Sequence, residues 1–467
     1  MQIPILNGIY TDENSDYRTS YPRNMIPVPK SQGISAGYLR PADGIVSNGT
    51  GPGVGRGGRN WSDVCYRVMG AKLVSIDAAG TVTTIGDVGG SGQVSMDNSF
   101  THLAVATSGS LYLYDGTTLQ QNTDTDLGVV VDVIWIDGYF MTTDGENLIV
   151  TELNNPFSVN PLKYGSSEVD PDPVKALIEI NNEVHAINRY TIEAFDNIGG
   201  SGFPFQRIDG AQISRGTIGT HACCAFLDNI AFLGSGRNES IAVYLGGSGK
   251  SVKISTREID QIIETYTEEE LAAVVFESRI DKGHQHLYVR FPDVTWVYDN
   301  AASAVVGEPV WFSLDSGISD DFSEYRAKNL VYCYGKWLIE DPQSSANGYL
   351  TNTVASHWGE DVSCEFGTQI LYNEGRGAII HELELVGLSG RAVIDEDPTI
   401  WTSYSTDGET WSTEKPIKAG KQGQRNKRLV WLQQGTIDHW RIQRFRCLSD
   451  SMLSVSRLEA RLEPLAW

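Results

Sequence analysis

The chain has 467 residues and a formal net charge of −23; it is 40% hydrophobic, 10% aromatic and 20% charged, with 48 glycines. That apolar and aromatic content offsets chain entropy and excludes wholesale disorder, while frequent glycine, without Ala, Glu, Lys and Leu dominating, excludes long-helix and coiled-coil architectures. The acidity argues against a whole-surface nucleic-acid binder, which presents a basic face to phosphates, and leaves a turn-rich, mostly β protein of two or three domains.

The opening stretch, MQIPILNGIYTDENSDYRTS, lacks a basic region followed by an apolar run, so no signal peptide is expected. No apolar stretch reaches the roughly eighteen residues of a membrane span, so no membrane partner is expected either. Residues 1–59 combine Pro22, Pro27, Pro29 and Pro41 with the glycine-rich stretch 51–58. Proline withholds backbone donors and glycine is costly to order, so this region is read as an extended N-terminal arm. Within it, Tyr21, Pro22, Asn24, Pro29, Tyr38 and Arg40 are candidate assembly residues, expected to pack along the subunit or reach a neighbour, with a mobile tail as the alternative.

From Cys65 the pattern changes to short β-branched and aromatic runs broken by turns rich in Gly, Asn or Asp, as in YRVMGAKLVSI, HLAVATSGSLYLYDG, VIWIDGYFMTTDGENLIV and HLYVRFPDVTWVYD. Hairpins recurring across residues 60–360 must hide their strand edges, and radial repetition in a β-propeller does so. Blades of about 40–45 residues predict about seven of them, with six to eight acceptable. The repeat is degenerate, and a pair of large β-sandwiches is the rival arrangement.

One segment breaks the β pattern, a helical insertion at about 256–276. Ile259, Ile262, Ile263 and Tyr266 recur at helical spacing, and Thr267 with Glu270 fits a capping box opening a second helix. The pair reads either as packing on the propeller rim or as assembly helices. Residues 361–467 then alternate with period two, as expected of a β-sandwich-like C-terminal domain. Nine cations, Lys415, Lys418, Lys421, Arg425, Lys427, Arg428, Arg441, Arg444 and Arg446, fall between 415 and 446 against Asp438 alone. Such asymmetry suggests a surface that docks on an acidic partner.

Motifs for chemistry are weak. GGSGKS at 246–251 lacks P-loop spacing, because Tyr244 stands where the first glycine belongs, and reads as a hairpin turn. STDGETW, residues 405–411, resembles a shortened Asp-box, in which Asp407 holds turn amides and Trp411 packs beneath. No carboxylate pair is singled out for glycoside hydrolysis, and there is no GxSxG or HExxH. His284 and His286 share one strand face, but no third ligand stands near them in sequence, so no metal site is expected. The six cysteines, Cys65, Cys223, Cys224, Cys333, Cys364 and Cys447, have no CxxC spacing and read as small core residues of a reduced protein. No catalytic or cofactor-binding residue is nominated, and the cofactor expectation is none. The alternative reading is a glycan-binding or glycoside-cleaving propeller, with Trp296, Trp311 and Trp337 as stacking surfaces.

Several segments in order resemble the packaged-DNA stabilisation proteins of short-tailed bacteriophages, the hub or nozzle subunits of the tail. They are YPRNMIPVPKSQGISAGYLRPADGI, YRVMGAKLVSI followed by IGDVGGSGQVSM, and ISTREIDQIIETYTEEELAAVVFES leading to HLYVRFPDVTWVYD. The resemblance covers nearly the whole chain. It implies a non-enzymatic virion structural protein with a propeller and smaller β domains, located in the virion tail and assembled in the host cytoplasm. It further implies a homo-oligomeric ring, a hexamer, docked below the portal-adaptor ring and carrying tailspikes or fibres and a tail needle or plug. DNA would cross the lumen without tight binding, since Lys and Arg contacts are what grip a phosphate backbone and this chain is short of them.

Overall fold

Strands of four to seven residues recur because period-two apolar runs end at turn residues that only a left-handed backbone closes. Tyr334–Gly335 (φ 55°, 70°) and Ser248–Gly249 (φ 49°, 75°) are two such corners, with both central residues at positive φ as a tight two-residue hairpin requires. The second closes the Ala242–Gly247 and Lys250–Lys253 hairpin, so the P-loop-like GGSGKS is a turn. The computed structural model describes residues 2–11, 17–30, 35–373, 376–392 and 395–465.

Seven four- or five-stranded antiparallel sheets stand around one axis. Their inner strands are Gly55–Trp61, Ser95–Asn98, Asp132–Ile136, Val174–Ile180, Cys223–Phe226, Val275–Asp281 and Lys328–Cys333, each touching the next, with the last returning to the first. This is a seven-bladed propeller, not the rival sandwich pair. Each junction between blades has its own core. Val68 and Leu73 meet Leu103 and Val105 between blades 1 and 2, and Cys65, Met69 and Val74 meet Val331 and Leu338 where blade 7 returns to blade 1. The ring is locked by an early segment: Gly44–Thr50 is the outer strand of blade 7, paired with Ala346–Thr351 in a register that sets Ile45 opposite Leu350. That closure satisfies an edge which would otherwise be open.

The remaining strands form a sandwich. One sheet runs Met25–Pro29, Gly37–Pro41, Ser454–Pro464, Ala378–Leu388 and Leu429–Ile437, with Gln2–Ile3 also on Ser454–Pro464. The other runs Ser363–Gly367, Trp440–Leu448, Thr399–Ser405 and Lys415–Lys418, with Leu371–Tyr372 beside Trp440–Leu448. Met25, Leu39, Phe366, Leu383, Phe445 and Leu458 fill the space between them.

The expected N-terminal arm is therefore corrected. Its residues supply three strands to the sandwich and the closing strand to the propeller. Residues 31–34 of the proline-rich segment lie outside the described residues. Pro27 and Pro29 are tolerated because Met25–Pro29 is the edge strand, where a missing N–H forfeits no ladder bond on the open side.

Where the two bodies meet, residues 22–24 stitch them. Arg23 pairs antiparallel with Glu365 of the sandwich and parallel with Ser313 of blade 6. Asn24, left-handed at φ 52°, donates its backbone N–H to the Ser313 carbonyl at 2.8 Å and its side-chain amide to the Ser363 carbonyl at 2.7 Å. The buried Arg23 guanidinium forms a forked ion pair with Asp315, Nε lying 3.0 Å from Oδ1.

Among the described residues, three short α-helices decorate the propeller: α1 (Arg257–Thr265), α2 (Glu268–Ala272) and α3 (Asn300–Val306). Among the described residues no helix is long and apolar enough to cross a membrane.

Candidate functional site: the assembly surfaces

The propeller axis holds a cavity of about 490 Å³ whose lining includes Arg59, Asp97, Asp132, Glu179, His221 and Glu277 from the inner strands and their flanks. Its polar groups are mostly used internally. Arg59 pairs with Asp97 at 2.6 Å, and Asp132 accepts the backbone N–H groups of Val133 and Leu177 at 2.9 and 2.8 Å. Burial pushes the Asp132 carboxyl up to about 6 and the His221 imidazole down to about 4. A DNA duplex, whose major groove alone is about 12 Å wide, does not fit such a space. The axis of one subunit is not a DNA conduit.

The basic stretch does not form one surface. Arg441 is fully buried, its guanidinium 3.7 Å above the Tyr404 ring and bonded to the Gln434 carbonyl and the Gln443 amide oxygen, and burial pulls its pKa down to about 10. That residue cannot dock a partner, which corrects its place in the candidate set. Arg446 pairs with Glu414 at 2.7 Å and lies over Trp401, while Arg444 lies over Trp411. Arg428 is neutralised by Glu382 and Glu384 of the adjacent strand. Lys415 donates to the Gln433 carbonyl, Lys418 to the Asp397 carbonyl and Thr399 hydroxyl, and Lys427 stands 3.9 Å from Asp397. Lys421 and Arg425 are exposed on the intervening loop, and neither makes an ion pair among the described residues. Of the nine candidate docking cations, these two are the ones left exposed and unpaired.

The helix candidates divide between core and surface. Ile259 and Ile263 are buried in the core between blades 5 and 6, and Ile262 and Tyr266 pack against it. Thr267 and Glu270 form the expected capping box, each satisfying the other's backbone N–H. Their apolar face is used inside the subunit; what α1 and α2 show outward is mostly acidic, with Glu264, Glu268, Glu269 and Glu270 exposed beside Arg257. The same helix ties down the N-terminus: Glu258 accepts the Thr19 N–H at 3.0 Å and the Thr256 hydroxyl meets that of Tyr21 at 2.6 Å.

Of the arm candidates, Pro22 and Asn24 are buried in the junction and Tyr21 is half-buried edge-on against Trp296. Pro29 is half-buried in the sandwich edge strand, and Tyr38 beneath the Lys30 ammonium. Arg40 pairs with Asp43 at 3.1 Å. Asp43 is almost wholly buried; burial opposes its charge, but the guanidinium of Arg279, helped by Arg40, holds the carboxyl down at about 2. Asp407 accepts the Glu409 and Thr410 amides at 3.0 and 2.8 Å, and Trp411 packs on Tyr10, so the Asp-box stabilises a turn. Trp296 and Trp311 are core residues, which removes them as sugar-stacking platforms. Cys65, Cys223, Cys333, Cys364 and Cys447 are buried, Cys224 is partly so, and all six are unbridged.

Sequence reasoning missed one cluster. His284 and His286 do have a third neighbour, Asp299, because the Phe291–Val294 turn folds the next strand back and sets Asp299 opposite His286.

A seven-bladed propeller closed by its own N-terminal strand, and stitched through that same segment to a β-sandwich, defines a two-body β scaffold. The family described as Bacteriophage P22 Gp10, beta-propeller, matches residues 1–355, and that described as Bacteriophage P22 Gp10, beta-sandwich, matches residues 363–463. The chain belongs to the P22 Gp10 family. "Tail hub protein gp10" of Salmonella phage P22 is 28% identical over 483 residues, spanning 99% of each chain. Among solved structures, the WD40 domain of Neurospora crassa Pan2 is similar at TM-score 0.42 and 10% identity, over 66% of this chain and 94% of that one. The computationally designed Ika8 protein is similar at TM-score 0.38 and 11% identity, over 66% and 99%. Scores this low transfer nothing of what those two proteins do.

Proposed function

We propose that this chain is a structural tail-hub subunit of a short-tailed phage. It assembles as a ring of six below the portal-adaptor, encloses the DNA path between subunits, and carries tailspikes or fibres and a needle or plug. The observation that carries this reading is the family match over both bodies of the chain, together with a relative named as a tail hub over 99% of its length. The physical features agree with it. A net charge of −23 per subunit disfavours counterion-releasing phosphate contacts, so DNA slides past and is retained by steric closure. An axial cavity of about 490 Å³, too small for a duplex, supports a lumen between subunits.

Incubation with a portal–adaptor complex followed by electron microscopy tests this. The expected result is a six-fold ring of added density, with a mass near six times 51.3 kDa; no added density, or a symmetry other than six, overturns it. Lys421→Glu with Arg425→Glu is expected to weaken docking on an acidic partner while changing stability by under about 0.5 kcal/mol per site, as for surface positions generally. A gel-shift assay at physiological salt should detect no duplex binding; a tight complex rejects the sliding path.

A further inference from the structure

The cluster that sequence reasoning missed stands apart from the assembly surfaces. His284 and His286 project from the same face of the His284–Arg290 strand, and their rings lie 4.9 Å apart with a 30° tilt. Asp299 ends the neighbouring strand directly opposite His286. Its Oδ1 is occupied as the cap of α3, accepting the Ala301 and Ala302 amides at 3.1 and 3.2 Å, and it also faces the Gln285 N–H. That leaves Oδ2, which lies 2.6 Å from His284 Nδ1 and 3.4 Å from His286 Nε2.

Two observations point to a ligand. One donor atom from each of the three residues lies within 4.8 Å of the others. His286 Nε2, on a residue only 3% exposed, makes no well-aligned hydrogen bond: the Asp299 Oδ2 it faces is 3.4 Å away and is already engaged by His284 Nδ1. An orphaned ring nitrogen costs free energy unless something occupies its lone pair or takes its proton. Zn–N and Zn–O bonds of about 2.0–2.2 Å in a tetrahedral site put neighbouring ligand atoms about 3.3 Å apart. The 3.4 Å pair already has that spacing, and the 2.6 Å pair must open by about 0.7 Å to reach it, which falls to the His284 ring as the most exposed of the three. Arg279, which stands opposite His286 on the adjacent strand, is itself balanced by Asp43 and Asp281.

We infer that His284, His286 and Asp299 form a structural site for one divalent transition cation of the zinc class, with water completing the shell on the His284 side. The two-imidazole, one-carboxylate donor set suits Zn²⁺, and also Co²⁺ or Ni²⁺, over Mg²⁺ or Ca²⁺, which prefer all-oxygen shells. Bound there, the ion cross-links two strands of blade 6 to the N-terminus of α3.

The full-length chain, stripped with a chelator, is titrated with CoCl₂ and with ZnCl₂. The expected results are uptake of one ion per chain, visible absorption bands of a nitrogen–oxygen cobalt site, and a Tm that rises with metal concentration. MgCl₂ should produce none of these. His284→Gln, at the most exposed of the three, should keep the circular dichroism spectrum of the parent and lower affinity at least tenfold; His286→Gln should abolish uptake. Absence of stoichiometric uptake, or uptake unchanged by His284→Gln, overturns the assignment. The His284 variant keeps the test decisive should His286→Gln fail to fold.

Discussion

The propeller and the sandwich use the same strands and the same turn chemistry, yet they are put together in different ways. Six of the seven blades are each made from one consecutive stretch of chain, and nearly every strand in them pairs with a neighbour in sequence. The sandwich sheet that touches the N-terminus draws on residues 2–3, 25–29 and 37–41 and on residues 378–388, 429–437 and 454–464, more than 330 positions away. Local pairing makes a blade tolerant of what surrounds it. Non-local pairing makes the sandwich, and blade 7 with it, depend on an early segment that must wait for the last strand before it has a partner.

That contrast is open to attack at several points. Deleting residues 1–50 should have the largest effect: the sandwich loses three strands and blade 7 its closing strand, so soluble folded protein should disappear from size-exclusion and circular dichroism measurements. A shortened chain that stays folded and cooperative would make the segment the detachable arm after all. Next comes Arg23→Ala, which strands the buried Asp315 carboxylate at the junction. Breaking a buried pair on one side costs about 3–5 kcal/mol, and denaturant titration should show it, with separated transitions for the two bodies if Arg23 is what couples them.

Ile263→Ala comes third. Its side chain lies wholly within the core between blades 5 and 6, so the loss should be about 2–5 kcal/mol, while Glu269→Ala on the exposed side of α2 should change stability by under about 0.5 kcal/mol. The reverse ranking would restore the helices as an assembly surface whose apolar face is free. The smallest effect is set by pH. The Asp43 carboxyl is held at about 2 against an ordinary 3.8. Because the folded value is depressed, the stabilisation is present above about pH 4 and is lost as pH falls toward 2. At about 1.4 kcal/mol per pKa unit this is worth about 2 kcal/mol. Asp43→Asn should flatten that part of the stability profile, and an unchanged acid limb would show that the Arg279 and Arg40 contacts do not hold the carboxylate charged.

Much of the propeller was legible residue by residue. YRVMGAKLVSI and HLYVRFPDVTWVYD announce strand, turn and strand through alternation and through residues that accept positive φ, and the Thr267–Glu270 capping box forms as read. Seven blades follow from chain length divided by a blade's worth of strands. The docking set was less legible. Counting charge along residues 415–446 ignored Glu382 and Glu384, which come from a strand about forty residues earlier, and could not tell that Arg441 points into the core. The His–His–Asp cluster is legible across the hairpin, where the short turn after Phe291 fixes a register in which Asp299 faces His286, and not from spacing along the chain.

By itself the sequence determined the strands, their turns, the amphipathic helices and the acidic balance, all of which depend on residues within a few positions of one another. Only the tertiary structure decided where the first fifty residues go, which cations keep a free charge and how narrow the propeller axis is. A strand's alternation states which face is buried and is silent about the partner. That choice belongs to contacts hundreds of residues apart, where the gain from shared apolar surface must exceed the entropy of closing the loop between them.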